Sequence, residues 1–180
     1  MEYTDVMLDL ETMGNKSNTA IVSIGAVEFN METGETGREF YEVVDLQSCL
    51  DVGLKVQAST IYWWLMQNET ARKRICTDCQ LIQKVLISFN LWMENCVKDV
   101  KIWGNGARFD IGILEDAYVA CNMKTPWNFR SEMDVRTLVA FAPEVKANMP
   151  FTGVYHDPVD DCKHQIKYCV EIWNMLKTQK

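Results

Sequence analysis

The sequence lacks the segments that mark membrane, secreted and repetitive proteins. No run approaches the ~20 consecutive apolar residues of a membrane helix. The N-terminus has no basic segment followed by an apolar stretch, so no secretory signal is evident. No internal repeat, low-complexity tract or domain boundary stands out. These absences favour a single domain over residues 1–180, located in the cytoplasm and not in a membrane.

Basic residues are fewer than acidic residues, and this limits the partners that the protein can bind. The chain has 18 Lys and Arg against 25 Asp and Glu, a net charge of −7. This balance argues against a large surface for binding phosphates. It does not exclude nucleic acid, because a carboxylate cluster that holds metal ions is locally positive.

The cysteines do not form a disulfide pattern. There are seven, an odd number, and they are scattered along the chain. This usage favours reduced thiols. Cys76 and Cys79 have the spacing of half a zinc site or a redox pair, but no second pair with that spacing exists. We therefore expect no metal or redox role there.

The residues that are present suit one globular domain of the α/β class. Of 180 residues, 48% are hydrophobic and 24% are charged. Apolar alternation predicts an antiparallel meander of three strands near the N-terminus, and a fourth strand follows later. Helices interleave with the later part, so we expect a mixed sheet flanked by helices. The predicted strands are 3–11, 20–30, 39–44 and 100–104; the predicted helices are 59–67, 69–75, 80–96, 110–121, 134–141 and 157–177; 143–153 is predicted as a loop.

The first predicted strand carries two carboxylates on one face. Asp9 and Glu11 are two residues apart, and side chains at that spacing on a strand point the same way. Close like charges require either a raised pKa or a bound cation. Divalent ions such as Mg²⁺ prefer oxygen ligands of this kind. Taken alone, however, the pair is more typical of a solvated strand face.

Two later segments supply further candidate groups. Asp110 follows the fourth strand at the expected start of a helix, where sites gather in such sheets; alone, it also suits a helix cap. His156 is one of only two histidines in the chain, and Asp161 lies about one turn inside the last helix. A histidine beside acidic groups suits a general base. The alternative for His156 is a loop residue beside a capping box.

Considered together, these residues resemble a known catalytic set. The order Asp9, Glu11, Asp110, His156 and Asp161 is similar to the DEDDh branch of the 3′–5′ exonuclease superfamily, which has a ribonuclease H-like fold. Residues 59–67 and 156–165 narrow the resemblance to the 3′–5′ exoribonuclease family known from mycobacteria, phages and prophages. A phage or prophage origin is therefore an expectation from the family's distribution.

The resemblance implies two Mg²⁺ or Mn²⁺ ions held by the four acidic residues. Asp9 would bridge both ions, Glu11 and Asp161 would complete the tighter site, and Asp110 would support the second ion, partly through water. His156 would deprotonate the attacking water. The expected product is a nucleoside 5′-monophosphate.

The same resemblance suggests residues that contact the substrate. Thr12 and Met13 would lie against the terminal 3′ nucleotide, although packing explains Met13 equally well. Of the two neighbouring tryptophans, we expect Trp64 to stack on a base and Trp63 to lie in the core. Asn105 would hydrogen-bond the substrate backbone, unless it only forms a turn.

Nearby polar residues are expected to support the site from outside the ligand set. Gln165 follows Asp161 by four residues, so we predict that it orients that carboxylate. His164 is expected to be structural, while Asp160 and Asp134 are expected to cap helices.

Alternative functions remain open at this level. The substrate is expected to be single-stranded RNA or DNA with a free 3′ end, with RNA favoured. Two other functions compete with a 3′–5′ exonuclease. One is a catalytically silent module that binds oligonucleotides or protein, and the other is a phosphodiesterase for small nucleotides. A homodimer is a further expectation from the resemblance.

Overall fold

The centre of the molecule is one mixed β-sheet, seen in a computed structural model that describes residues 2–106 and 108–178. Its strands are β1 (Asp5–Thr12), β2 (Ile21–Phe29), β3 (Thr36–Val43), β4 (Lys101–Gly104) and β5 (Glu132–Asp134). Their order is β3-β2-β1-β4-β5. The first three strands are antiparallel neighbours, while β4 is parallel to β1 and to β5. The predicted meander and mixed sheet are thus confirmed.

Helices cover both faces of the sheet. They are α1 (Leu46–Asp51), α2 (Ala58–Leu65), α3 (Glu69–Arg74), α4 (Ile82–Met93), α5 (Asp110–Ala120), α6 (Val135–Val139), α7 (Pro143–Asn148) and α8 (Pro158–Thr178). None of these helices combines the length and the apolar character needed to cross a membrane.

Alternation along β1 divides the core into two clusters. Val6, Leu8 and Leu10 point to one face, where they pack with residues of α4 and α5. Met7 points to the other face and packs with residues of α6 and α8. Because side chains alternate on a strand, Asp9 and Glu11 continue the Met7 face and point toward α8.

A glycine lets α8 approach the sheet closely. Gly25 of β2 is paired with Asp9 of β1. A Cβ atom at Gly25 would lie 2.7 Å from the carbonyl carbon of Pro158, closer than real contacts allow. The first turn of α8 therefore crosses the sheet beside Asp9, which fixes where the acidic residues of that turn lie.

Three short elements differ from the sequence prediction. Residues 143–148 were expected in a loop but form α7, which begins with Pro143 at a position that suits proline. The prediction missed α1, which Asp45 caps through its side chain, and β5, which has three residues. Elements this short do not show a full period of apolar residues, so tertiary packing decides them.

Candidate active site

Three carboxylates meet where β1 passes under the first turn of α8. Asp9 and Glu11 come from β1, and Asp161 comes from α8. One carboxylate oxygen from each can be chosen so that all three lie within 4.8 Å of one another. Oxygen ligands at this spacing suit a hard divalent cation, so the donor set fits the metal that the sequence predicted.

Gln165 holds one of these carboxylates in place. Its Nε2 donates a hydrogen bond of 2.8 Å to Oδ1 of Asp9. The prediction that Gln165 orients Asp161 is therefore wrong, because the amide reaches across to β1 and not back along its own helix. The residue does support the cluster, but through the strand.

Asp110 lies next to the three carboxylates and is anchored to the backbone. Residue pairing between β1 and β4 ends at Met7 and Trp103, so β1 has no strand neighbour on that side farther along. There Oδ1 of Asp110 accepts from the amide of Leu10 at 3.2 Å, and Oδ2 accepts from the amide of Asn105 at 2.7 Å. Asp110 is outside the three-carboxylate group, yet it is buried and its orientation is fixed.

His156 stands at the edge of the cluster, where its Nδ1 lies 3.7 Å from Oε1 of Glu11. Its ring packs edge-on against Trp63, with centroids 4.9 Å apart. The backbone of His156 has a φ of 63°, in the left-handed region. For a residue other than glycine this costs of order 1–3 kcal/mol, and such strain is retained where the surroundings enforce it.

Burial raises the pKa of all four acids in the metal-free protein, and repulsion within the cluster adds to this for Asp9 and Glu11. Burial raises the pKa of Glu11 to about 8, with the charges of Asp161 and Asp110 adding to the effect. Burial also raises the pKa of Asp9 well above its ordinary value, and the other three carboxylates add to this. The pKa values of Asp110 and Asp161 rise to about 6, again mainly through burial. A bound cation would remove this conflict.

The raised pKa values predict that alkaline pH destabilises the metal-free protein. A carboxyl group whose pKa is higher in the folded state binds more protons there, so stability falls as pH rises toward the folded pKa. We expect the melting temperature with EDTA to fall between about pH 6.5 and about pH 8.5. This pH range is chosen because it lies above the ordinary pKa of histidine. Thermal denaturation checks this.

The same experiment tests metal binding. Mg²⁺ or Mn²⁺ is expected to raise the melting temperature by at least ~3 °C at the higher pH, and by less at the lower pH. Glu11→Gln should reduce both the pH dependence and the metal effect. An unchanged melting temperature with either ion at both pH values would contradict a metal site here.

The structure changes which of the predicted residues are accessible to a substrate. Trp64 is only 4% exposed, and its Nε1 donates to the carbonyl of Thr12 at 3.0 Å. The preference for Trp64 as the base-stacking residue is therefore corrected, because its ring belongs to the core; Trp63 is 38% exposed. Met13 packs in the same core, which favours its structural alternative.

Thr12 and Asn105 lie at the site but act locally in this structure. The hydroxyl of Thr12 donates to the carbonyl of Gly14 at 2.7 Å, and the side chain is buried. The amide of Asn105 donates to Asp110, as described, and its side-chain oxygen is buried without a partner among the described residues. Ala107 of the same loop lies outside the described residues.

An open cleft adjoins Glu11 on the side of α2. Its volume is about 380 Å³. The lining comes from the end of β1, the loop after it, one side of α2 and the residue before α5: Leu10, Glu11, Thr12, Gly14, Asn15, Ser59, Thr60, Trp63 and Phe109. Ser59, Thr60 and Phe109 were not predicted to line the site, although residues 59–67 belong to a segment that narrows the family resemblance.

The capping prediction is confirmed for Asp134 and wrong for Asp160; the residue that caps α8 is Asp157. Oδ1 of Asp157 accepts from the amides of Val159 and Asp160, and Oδ1 of Asp134 accepts from the amide of Arg136. Asp160 instead accepts from the amide of Val154 at 2.8 Å and so closes the loop that carries His156. His164 packs between Phe151 and Tyr168, away from the carboxylates.

Solved structures with the same fold define the class of the domain. The nuclease domain of 3′hExo, a DEDDh family member bound to rAMP, is 17% identical, with a TM-score of 0.62 over 96% of this chain and 94% of that chain. E. coli ExoI in complex with single-stranded DNA is 13% identical, with a TM-score of 0.65 over 100% of this chain and 41% of that chain. S. pombe Pop2p with Mg²⁺ and Mn²⁺ bound is 13% identical, with a TM-score of 0.61 over 94% of this chain and 82% of that chain. These similarities show that the domain has a ribonuclease H-like fold.

Sequence comparison gives the particular family. The chain belongs to the family described as the 3′-5′ exoribonuclease Rv2179c-like domain, which matches residues 4–173. It is also 30% identical over 126 residues, 62% of its length, to an exodeoxyribonuclease of Enterobacteria phage T4. The match spans 54% of that relative, about half of its length.

Proposed function

We propose that this protein is a metal-dependent 3′–5′ exonuclease that removes nucleoside 5′-monophosphates from single-stranded ends, with RNA preferred. The observation that carries the proposal is the meeting of Asp9, Glu11 and Asp161 within 4.8 Å, with His156 beside Glu11. The family assignment and the fold support it.

Two divalent ions would be held by Asp9, Glu11 and Asp161, with Asp110 nearest the second. When bound, Mg²⁺ or Mn²⁺ supplies Lewis acidity for the attacking water, the phosphoryl transition state and the leaving 3′-oxygen. The raised pKa values of the four acids indicate how strongly the cluster favours a positive charge.

The chain's own groups position the reaction and move the proton. Burial lowers the pKa of His156, so its imidazole is neutral near pH 7 and can accept a proton from water. Gln165 fixes Asp9, and two backbone amides fix Asp110. These supports keep the carboxylates oriented before substrate arrives, which reduces reorganisation during the reaction.

The cleft beside Glu11 is proposed to hold the terminal 3′ nucleotide, with the exposed face of Trp63 stacking on its base. Stacking is worth ~1–3 kcal/mol per base. Trp63→Ala is therefore expected to lower kcat/KM by about five- to 150-fold. Tyr62→Ala is the matched control, since Tyr62 is the exposed neighbour in the same helix. Equal losses in both variants would contradict a specific contact.

Hydrolysis of matched oligonucleotides tests the proposed function. RNA and DNA strands of one sequence, labelled at the 5′ end, are incubated with Mg²⁺, Mn²⁺ or EDTA, and products are identified by mass spectrometry. We expect stepwise shortening from the 3′ end, release of 5′-monophosphates, faster cleavage of RNA and no cleavage with EDTA.

Each other result selects a different function. Faster cleavage of DNA would favour an exodeoxyribonuclease, the activity named for the phage relative. Cleavage of dinucleotides but not of longer strands would favour a small-nucleotide phosphodiesterase. Binding of oligonucleotides without metal-dependent cleavage would contradict the proposal and favour a silent binding module.

A further inference from the structure

Several contacts between the loop that carries His156 and the start of α8 shape this loop. Asp160 accepts from the amide of Val154, and Asp157 donates its amide to the carbonyl of Val154 at 3.1 Å. Gly153 has a φ of 131°, and a Cβ atom there would lie 2.7 Å from the carboxylate of Asp160. These contacts shape the loop, but they all lie between the loop and the start of α8, so they do not connect it to the rest of the protein.

An ion pair makes that connection. The guanidinium of Arg74, the last residue of α3, contacts Oδ2 of Asp157, the residue after His156. Asp157 uses its other oxygen, Oδ1, to cap α8. The side chain of Asp157 is 12% exposed, and that of Arg74 is 35% exposed. Partly buried pairs of this kind are screened less by solvent than surface pairs.

We propose that the Arg74–Asp157 ion pair is a positioning contact that holds the imidazole of His156 at the carboxylate cluster. The ion pair and the packing of Trp63 fasten the residue after His156 and its ring to α3 and α2. The guanidinium of Arg74 also neutralises the carboxylate of Asp157, which is one residue from His156. Without this neutralisation, the carboxylate would add negative charge where the phosphate of the substrate binds. This inference rests on the proposed nuclease function for its kinetic consequence, but its structural consequence is independent of activity.

Kinetic coupling between Arg74 and His156 is the first test. Arg74→Gln is expected to lower kcat by about 10- to 100-fold, because small displacements of a catalytic group have effects of this size, with KM within about threefold. Asp157→Asn should give a similar loss, since asparagine keeps the helix cap. Lys73→Gln, which removes an exposed pair with Glu69 in the same helix, is the matched control and should retain full activity.

The decisive comparison repeats Arg74→Gln in a His156→Ala background. If Arg74 acts through the imidazole, the substitution should change the residual rate by less than about twofold, because coupled residues are not additive. An equal fractional loss in both backgrounds would overturn the proposal and indicate a general structural role. Unchanged kcat in Arg74→Gln would overturn it as well.

Imidazole NMR gives a readout that does not need activity. The chain has two histidines, and the ring of His156 lies edge-on to Trp63, so its proton shifts report its position in the indole ring current. Arg74→Gln and Asp157→Asn should move the His156 signals while those of His164 stay in place. If the wild type shows no metal-dependent cleavage, the proposed function fails and the NMR shifts alone test the positioning contact. Movement of the His156 signals in the two variants would then support the contact, and unmoved His156 signals would overturn it.

Discussion

Replacing Asp9 with asparagine is expected to abolish metal-dependent cleavage, with a loss of at least about a hundredfold in kcat, or ~3 kcal/mol of barrier. Asp9 is central to the cluster, where it feels the charges of Asp110, Glu11 and Asp161. Asparagine keeps the shape and an oxygen that can accept from Gln165, but removes the negative charge that a divalent ion requires. Single-turnover cleavage of a 5′-labelled oligonucleotide measures the loss.

Asp5→Asn is the matched control for this prediction. Asp5 lies on the same strand, is buried, and accepts from Nε1 of Trp103 at 2.8 Å. Its substitution changes a buried acid of β1 outside the cluster, so kcat should stay within about threefold, as for mutations remote from the transition state. Equal activity of Asp9→Asn and wild type would contradict the assignment of the site.

Replacing His156 with alanine is expected to lower kcat by about 10²–10⁴-fold, the usual contribution of general acid–base catalysis. Unlike Asp9→Asn, this variant should retain metal binding, since all four carboxylates remain. Calorimetric titration with Mn²⁺ separates the two effects.

His164→Ala controls for the loss of a histidine. His164 is in the same helix as Asp161 but packs against Phe151 and Tyr168. Its variant is expected to cleave at close to the wild-type rate. A larger loss from His164→Ala than from His156→Ala would contradict the choice of base.

The sequence was sufficient for the parts of the site that depend on local geometry. Alternation along β1 placed Asp9 and Glu11 on one face, and the helix predicted over 157–177 placed Asp161 in the first turns of α8. Both follow from periods of two and 3.6 residues, which are properties of the backbone. The approach of α8 to β1 could not be derived in this way, because it depends on the absence of a side chain at Gly25.

Predictions of side-chain partners were less successful because tertiary packing decides them. Trp63 and Trp64 are adjacent in the same short helix, and only the packed core shows which indole is buried. Gln165 has suitable spacing from Asp161 along its own helix, yet it bonds Asp9 across the interface. Arg74 carried no signal at all, since its partner Asp157 is distant in sequence.

The most direct test of the account is a crystal structure with Mn²⁺ and a nucleoside 5′-monophosphate, in which anomalous scattering locates the metal. We predict one Mn²⁺ bound by carboxylate oxygens of Asp9, Glu11 and Asp161, a second near Asp9 and Asp110, and the phosphate between these ions and His156. Mn²⁺ absent from this cluster at saturating concentration, or bound only elsewhere on the protein, would contradict the account.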